Sequence, residues 1–128
     1  MNKLAPGLIG ENEKIVTVED TAAHLGSGLV PVFGTPTLVG LMEGAAVQSL
    51  EGCLPPGQTS VGVHIDVRHL AATPVGMRVR ARAELVEVEG RRLAFRIEAW
   101  DEAERIGEAN HERFIVDVER FVAKTKSQ

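Results

Sequence analysis

Residues 35–50 read Thr-Pro-Thr-Leu-Val-Gly-Leu-Met-Glu-Gly-Ala-Ala-Val-Gln-Ser-Leu, and this stretch decides the fold. Thr35 is a fair N-cap, Pro36 suits the first helical position, and Thr37 is a competing cap one step in. On a helix, Leu38, Leu41, Met42, Ala45 and Ser49 share one face, with Val39, Ala46 and Leu50 beside them. An apolar surface this wide predicts a largely buried helix. Glu43 is the one charge before Glu51, and its neighbours at three and four residues, Val39, Gly40, Ala46 and Val47, offer it no partner. Buried unpaired, a carboxylate is costly, so Glu43 needs a partner from another element or a proton. The bland alternative is that it emerges at the helix edge into water.

Around this helix the chain alternates with period two. In Val61-Gly62-Val63-His64-Ile65-Asp66-Val67-Arg68-His69, the residues Val61, Val63, Ile65, Val67 and His69 fall on one strand face. His64, Asp66 and Arg68 point the other way. A histidine in an aliphatic position is either a satisfied core residue or a group held for proton transfer. Leu70-Ala71-Ala72-Thr73-Pro74-Val75-Gly76 then ends the strand and carries the imidazole toward an edge. Residues 13–18 predict a first strand and residues 59–69 the second. A third strand alternates Met77, Val79, Ala81, Ala83 and Leu85 with Arg78, Arg80, Arg82 and Glu84. Its phase shifts near Val86, which predicts a bulge. Glu89-Gly90 is a hairpin turn signal. Leu93, Phe95, Ile97 and Ala99 mark a fourth strand with Trp100 on its other face, and residues 106–117 a fifth. Residues 119–126 predict a short terminal helix. Between residues 21 and 34 the chain is irregular and rich in small residues.

Strand, helix, then four strands joined by short turns predicts a single α+β domain spanning residues 1–128. Short turns make the strands antiparallel neighbours. A helix so apolar must be wrapped by the five-stranded sheet, which is the hot-dog arrangement. The open edge strand predicts a homodimer by edge pairing; the sequence leaves open a further association into a tetramer.

Composition sets the outer limits. With 128 residues, 44% hydrophobic and 25% charged, the chain has the make-up of an ordinary globular domain. No apolar stretch approaches membrane-spanning length, and the N-terminus lacks a signal-peptide core. The lone Cys53 fits a reducing cytoplasm and makes no zinc site, there being no second cysteine. The net charge of −4 argues against nucleic acid as a partner. The alternating Arg78, Arg80 and Arg82 read first as a solvated sheet face.

Four stretches carry a resemblance: Val39-Gly40-Leu41-Met42-Glu43, His69-Leu70-Ala71-Ala72-Thr73-Pro74, Val88-Glu89-Gly90-Arg91-Arg92-Leu93 and His111-Glu112-Arg113. In this order and spacing, the chain resembles the hot-dog acyl-CoA thioesterases of the fluoroacetyl-CoA thioesterase type. The resemblance implies hydrolysis of an acyl-CoA to free acid and coenzyme A, with no metal and no cofactor. It places Thr35, Glu43 and His69 in the catalytic positions. In such a site His69, with an unperturbed pKa near ~6.5, suits a general base. Glu43 orients the imidazole or activates water. Thr35 is the nucleophile or positions water, which sequence does not separate. Gly76, in the turn after His69, is assigned to holding the acyl carbonyl. Phe33 either lines the acyl pocket or plugs the helix entrance. His111 matches the pattern too, with a structural role in the last strand expected. No aromatic residue precedes Phe33, whereas the fluoroacetyl enzyme is richer in them there, so a different, short or unidentified acyl group is expected. The competing functions are a non-catalytic acyl-CoA sensor and an acyl-CoA hydratase.

Overall fold

The computed structural model describes residues 2–126; Met1, Ser127 and Gln128 lie outside the described residues. Five antiparallel strands form one sheet in the order β1-β3-β4-β5-β2. They are β1 (Ile9–Ile15), β2 (Gln58–His69), β3 (Arg78–Glu89), β4 (Arg92–Trp100) and β5 (Arg105–Asp117). The helices are α1 (Ala22–Leu25), the long α2 (Thr35–Ser49) and the terminal α3 (Val118–Lys126).

The sheet curls around α2. Leu38, Leu41, Met42, Ala45, Ala46 and Ser49 are all buried, so the expected core face holds. Opposite them lie Val79, Ala81, Ala83 and Leu85 of β3 and Leu93, Phe95, Ile97 and Ala99 of β4, all buried. Burying so wide an apolar surface at ~25 cal/mol per Å² supplies the main drive to fold. The small alanines of β3 let the helix sit close. The closest approach is at Gly10 of β1, where a Cβ would stand 2.2 Å from the Ala45 carbonyl oxygen and 2.3 Å from the Ser49 nitrogen.

Some boundaries differ from the sequence reading. The first strand is Ile9–Ile15 rather than residues 13–18. Its inward positions are Gly10 and Asn12, whose amide donates to the Leu41 carbonyl at 3.1 Å, so it shows no apolar alternation. A 3-10 turn (Val18–Asp20) follows. In β2 the single phase is broken. The register shifts between Gly62 and His64, leaving Val63 as the extra residue, 53% exposed. Ser60 and Gly62 therefore face inward before the bulge, and Ile65, Val67 and His69 after it. The bulge in β3 falls where expected, with Val86 unpaired between Leu85 and Glu87.

On the outer face, Arg78 pairs with Glu13 and Arg80 with Glu11. The Arg80 guanidinium also lies 5.0 Å over the Trp100 ring. The arginine stripe is thus a solvated face, as read from the sequence.

On the inner face, His111 of β5 is buried against the Phe95 ring, 5.9 Å between centroids. Its Nδ1 lies 2.7 Å from the His64 carbonyl oxygen. Burial pushes its pKa below the ordinary 6.5, against the pull of the His64 carbonyl. The folded chain therefore binds fewer protons here than the unfolded chain. Stability from this group is complete above the ordinary value and is lost as pH falls through the folded one.

Two outcomes follow. Gly10→Ala should lower unfolding stability by at least ~2 kcal/mol in urea titration, because backbone rather than a flexible side chain must move. Thermal midpoints should fall between about pH 7 and pH 5, and His111→Gln should flatten that fall.

Candidate active site

Thr35 and His69 meet at the open end of α2. The cap of this helix is Gly34, not Thr35: Gly34 has extended backbone (φ −80, ψ 150), and its carbonyl accepts from Leu38 N at 3.0 Å. The Thr35 hydroxyl is therefore free of capping duty. It lies 2.8 Å from His69 Nδ1. His69 is the last residue of β2, and its main chain is fixed by the next amide, Leu70 N, which donates to the Ile106 carbonyl at 2.7 Å.

The two segments are stitched together beside this contact. Phe33 N donates to the Thr73 carbonyl at 2.8 Å, and Val32 bridges Pro74. Thr73 is wholly buried, and its hydroxyl donates to Asp101 Oδ2 at 2.8 Å. Asp101 also accepts from the Ala103 and Glu104 amides. The chain before Thr35 and the chain after His69 are thus held by one chain of hydrogen bonds.

The imidazole is half-buried. Burial pushes its pKa below the ordinary 6.5, with the Ala71 backbone pulling the other way. Its Nε2 is buried and meets no partner among the described residues. If the proton sits on Nε2, Nδ1 accepts from the Thr35 hydroxyl; if it sits on Nδ1, Nε2 is bare. Nε2 is enclosed in either form, with the Ala71 backbone beside the ring.

A cavity of about 410 Å³ opens beside this pair. Thr35, His69 and Phe33 line it together with Leu29, Val30 and Ala71. Phe33 lines the cavity and is itself buried in the core, edge-on to His69 at 6.4 Å. Gly76 lies elsewhere. It is not among the residues lining this cavity, and its amide donates to the Val16 carbonyl at 2.8 Å in the turn before β3. Its φ of +96 explains a glycine there without any ligand.

Glu43 sits in a second cluster. Its Oε2 accepts from Arg113 Nη1 at 3.3 Å and lies 3.9 Å from His111 Nε2. The partner demanded by the helix is therefore Arg113, on β5. Eight residues of helix separate Thr35 from Glu43, about 12 Å at 1.5 Å per residue. Gly62 makes room for the carboxylate: a Cβ there would stand 2.5 Å from Glu43 Oε2. Arg113 and Ser60 were missed in the sequence. Nothing local links Arg113 to Glu43, 70 residues away.

Among the described residues no group of three or more His, Cys, Asp or Glu is placed to hold a metal, and no helix is long and apolar enough to cross a membrane.

Comparison with known proteins gives the family and the fold. A fluoroacetyl-CoA thioesterase of Streptantibioticus cattleyicolor is 46% identical over 97 residues, spanning 76% of this chain and 70% of that protein. A solved structure of the fluoroacetyl-CoA thioesterase superposes with a TM-score of 0.93 at 38% identity, covering 99% of this chain and 98% of that one. A thioesterase superfamily member from Thermus thermophilus superposes with a TM-score of 0.90 at 32% identity, covering 99% and 94%. The family described as fluoroacetyl-CoA-specific thioesterase matches residues 16–119, and the chain belongs to it.

Proposed function

We propose that the chain is an acyl-CoA thioesterase whose site is completed across a homodimer, with Thr35 and His69 from one subunit and Glu43 of the partner subunit. The observation that carries this reading is the pair of half-sites. One holds Thr35 on His69; the other holds a carboxylate with no imidazole of the first site beside it.

The topology offers a way to join them. β2 is an edge strand, and His69 lies at one end of it while Ser60 and Gly62 lie near the other. Pairing β2 with β2 antiparallel about a two-fold axis sets the His69 end of one strand beside the Ser60–Gly62 end of its partner. Glu43 lies against Gly62, so the carboxylate travels with that end.

In this arrangement the carboxylate of the partner's Glu43 comes to the Thr35–His69 end of β2, and the His69 proton stays on the enclosed Nε2. Nδ1 is then the acceptor for the Thr35 hydroxyl, which gives the nucleophile, base and orienting acid their required order. The Thr35 oxygen attacks the thioester carbon as its proton passes to His69. The C–S bond breaks, and the departing thiolate of coenzyme A takes that proton. Water then releases the acid from Thr35, with His69 again as base. The N-terminal end of α2 carries positive potential toward the oxyanion that forms.

The Streptantibioticus cattleyicolor relative and the solved thioesterase at 38% identity are named for fluoroacetyl-CoA. Here the cavity is lined by aliphatic side chains such as Leu29 and Val30, with Phe33 as its aromatic member, and the acyl group proposed is a short apolar one. Coenzyme A chemistry and a single thiol suit the cytoplasm.

Thiol release from a panel of short acyl-CoAs, fluoroacetyl-CoA included, tests the activity. His69→Ala and Glu43→Gln should each lower turnover by at least ~10²-fold. Binding without thiol release would favour the sensor, and addition of water without release the hydratase. A purified heterodimer of one His69→Ala and one Glu43→Gln subunit should recover about half the wild-type rate, since one of its two sites is intact. A heterodimer as inactive as either parent would sink the shared site.

A further inference from the structure

A buried polar cluster stands behind Glu43 that the chemistry above does not use. His111 and Arg113 face inward from β5, 2% and 6% exposed, and Ser60 joins them from β2. The partners of His111 fix its state. Its Nδ1 faces the His64 carbonyl, which only accepts, so Nδ1 carries the proton. Its Nε2 lies 3.2 Å from Arg113 Nη1, which only donates, so Nε2 is bare. His111 is thus a neutral acceptor, and its 3.9 Å approach to Glu43 is not an ion pair.

Arg113 is held on three sides. Its Nε donates to Ser60 Oγ at 2.8 Å and its Nη2 to the Ser60 carbonyl at 3.1 Å. Its Nη1 is shared between His111 Nε2 and Glu43 Oε2. Burial lowers its pKa, against the opposing pull of Glu43. A buried guanidinium is a costly way to gain stability, because an ion pair seldom repays the desolvation of both charges. It is well suited to fixing a carboxylate, since its planar fork has no freedom once three donors are tied. The strand opposite is bare at Gly62, where a Cβ would also crowd Arg113 Nη1 and His111 Cε1 at 3.3 Å.

We infer that His111 and Ser60 are positioning residues for thioester hydrolysis: they fix the plane of Arg113 so that it holds the Glu43 carboxylate at the angle the reaction requires. The inference rests on the assignment of Glu43 to catalysis.

The test is a double-mutant cycle on kcat and KM for the short acyl-CoA that the panel shows to be turned over fastest. His111→Leu and Ser60→Ala should each lower kcat by at least about tenfold, a usual size for a hydrogen bond to a charged group, with KM within about threefold. His111→Gln should recover most of the loss, because its amide can donate to the His64 carbonyl and accept from Arg113. In a Glu43→Ala background neither substitution should lower kcat further. An unchanged kcat in folded His111→Leu and Ser60→Ala overturns the inference, as does an equal loss with and without Glu43. Should His111→Leu fail to fold, Ser60→Ala, which removes a single oxygen, decides alone. Wild-type turnover in Glu43→Ala itself would instead sink the assignment of Glu43, and this inference with it.

Discussion

The burial of α2 is the constraint on which everything else depends. A helix that is apolar over most of its surface cannot rest on a flat sheet, so the strands curl around it. The curl needs small residues where backbones approach, and Gly10, Ala81 and Ala83 supply them. It also leaves a strip of the helix uncovered between the two edge strands, where Gly40, Val47 and Gln48 are exposed. Glu43 borders that strip. The same packing that makes the core thus delivers a carboxylate to the margin between interior and solvent.

The Thr35–His69 pair and Glu43 are held by different means. The Thr35–His69 contact depends on main-chain hydrogen bonds between two loops, anchored through Thr73 to Asp101. Glu43 depends on side-chain bonds to one strand. Backbone links tolerate changes of side chain; the carboxylate's links do not.

Much of this was legible in the sequence because it rests on local period. The core face of α2, the bulge at Val86 and the outward Trp100 all follow from counting positions. Glu43 and His69 stand out as polar groups where apolar ones are expected, Thr35 reads as a helix cap, and the spacing of the three ties the chain to a family. What escaped was long-range or hidden by a one-residue slip. The extra residue at Val63 reverses the face of everything before it, so Ser60 and Gly62 turn inward although simple alternation had Val61 and Val63 inside. The capping role of Gly34 escaped because a threonine beside a proline is the stronger local signal. Arg113 escaped because the charge that explains it is 70 residues away.

The latch between Thr73 and Asp101 ties the turn after β2 to the turn between β4 and β5. The imidazole takes its position from the hairpin joining β4 to β5, on which the residues between Gly26 and Pro31 have no hold. Leu29, almost fully exposed at 96%, sits at the rim of the cavity in a stretch tied, among the described residues, only to α1, where Ser27 N donates to the Ala22 carbonyl and Ala23 N to the Val30 carbonyl. Side chains at the rim can therefore change without disturbing the contact between the Thr35 hydroxyl and the imidazole.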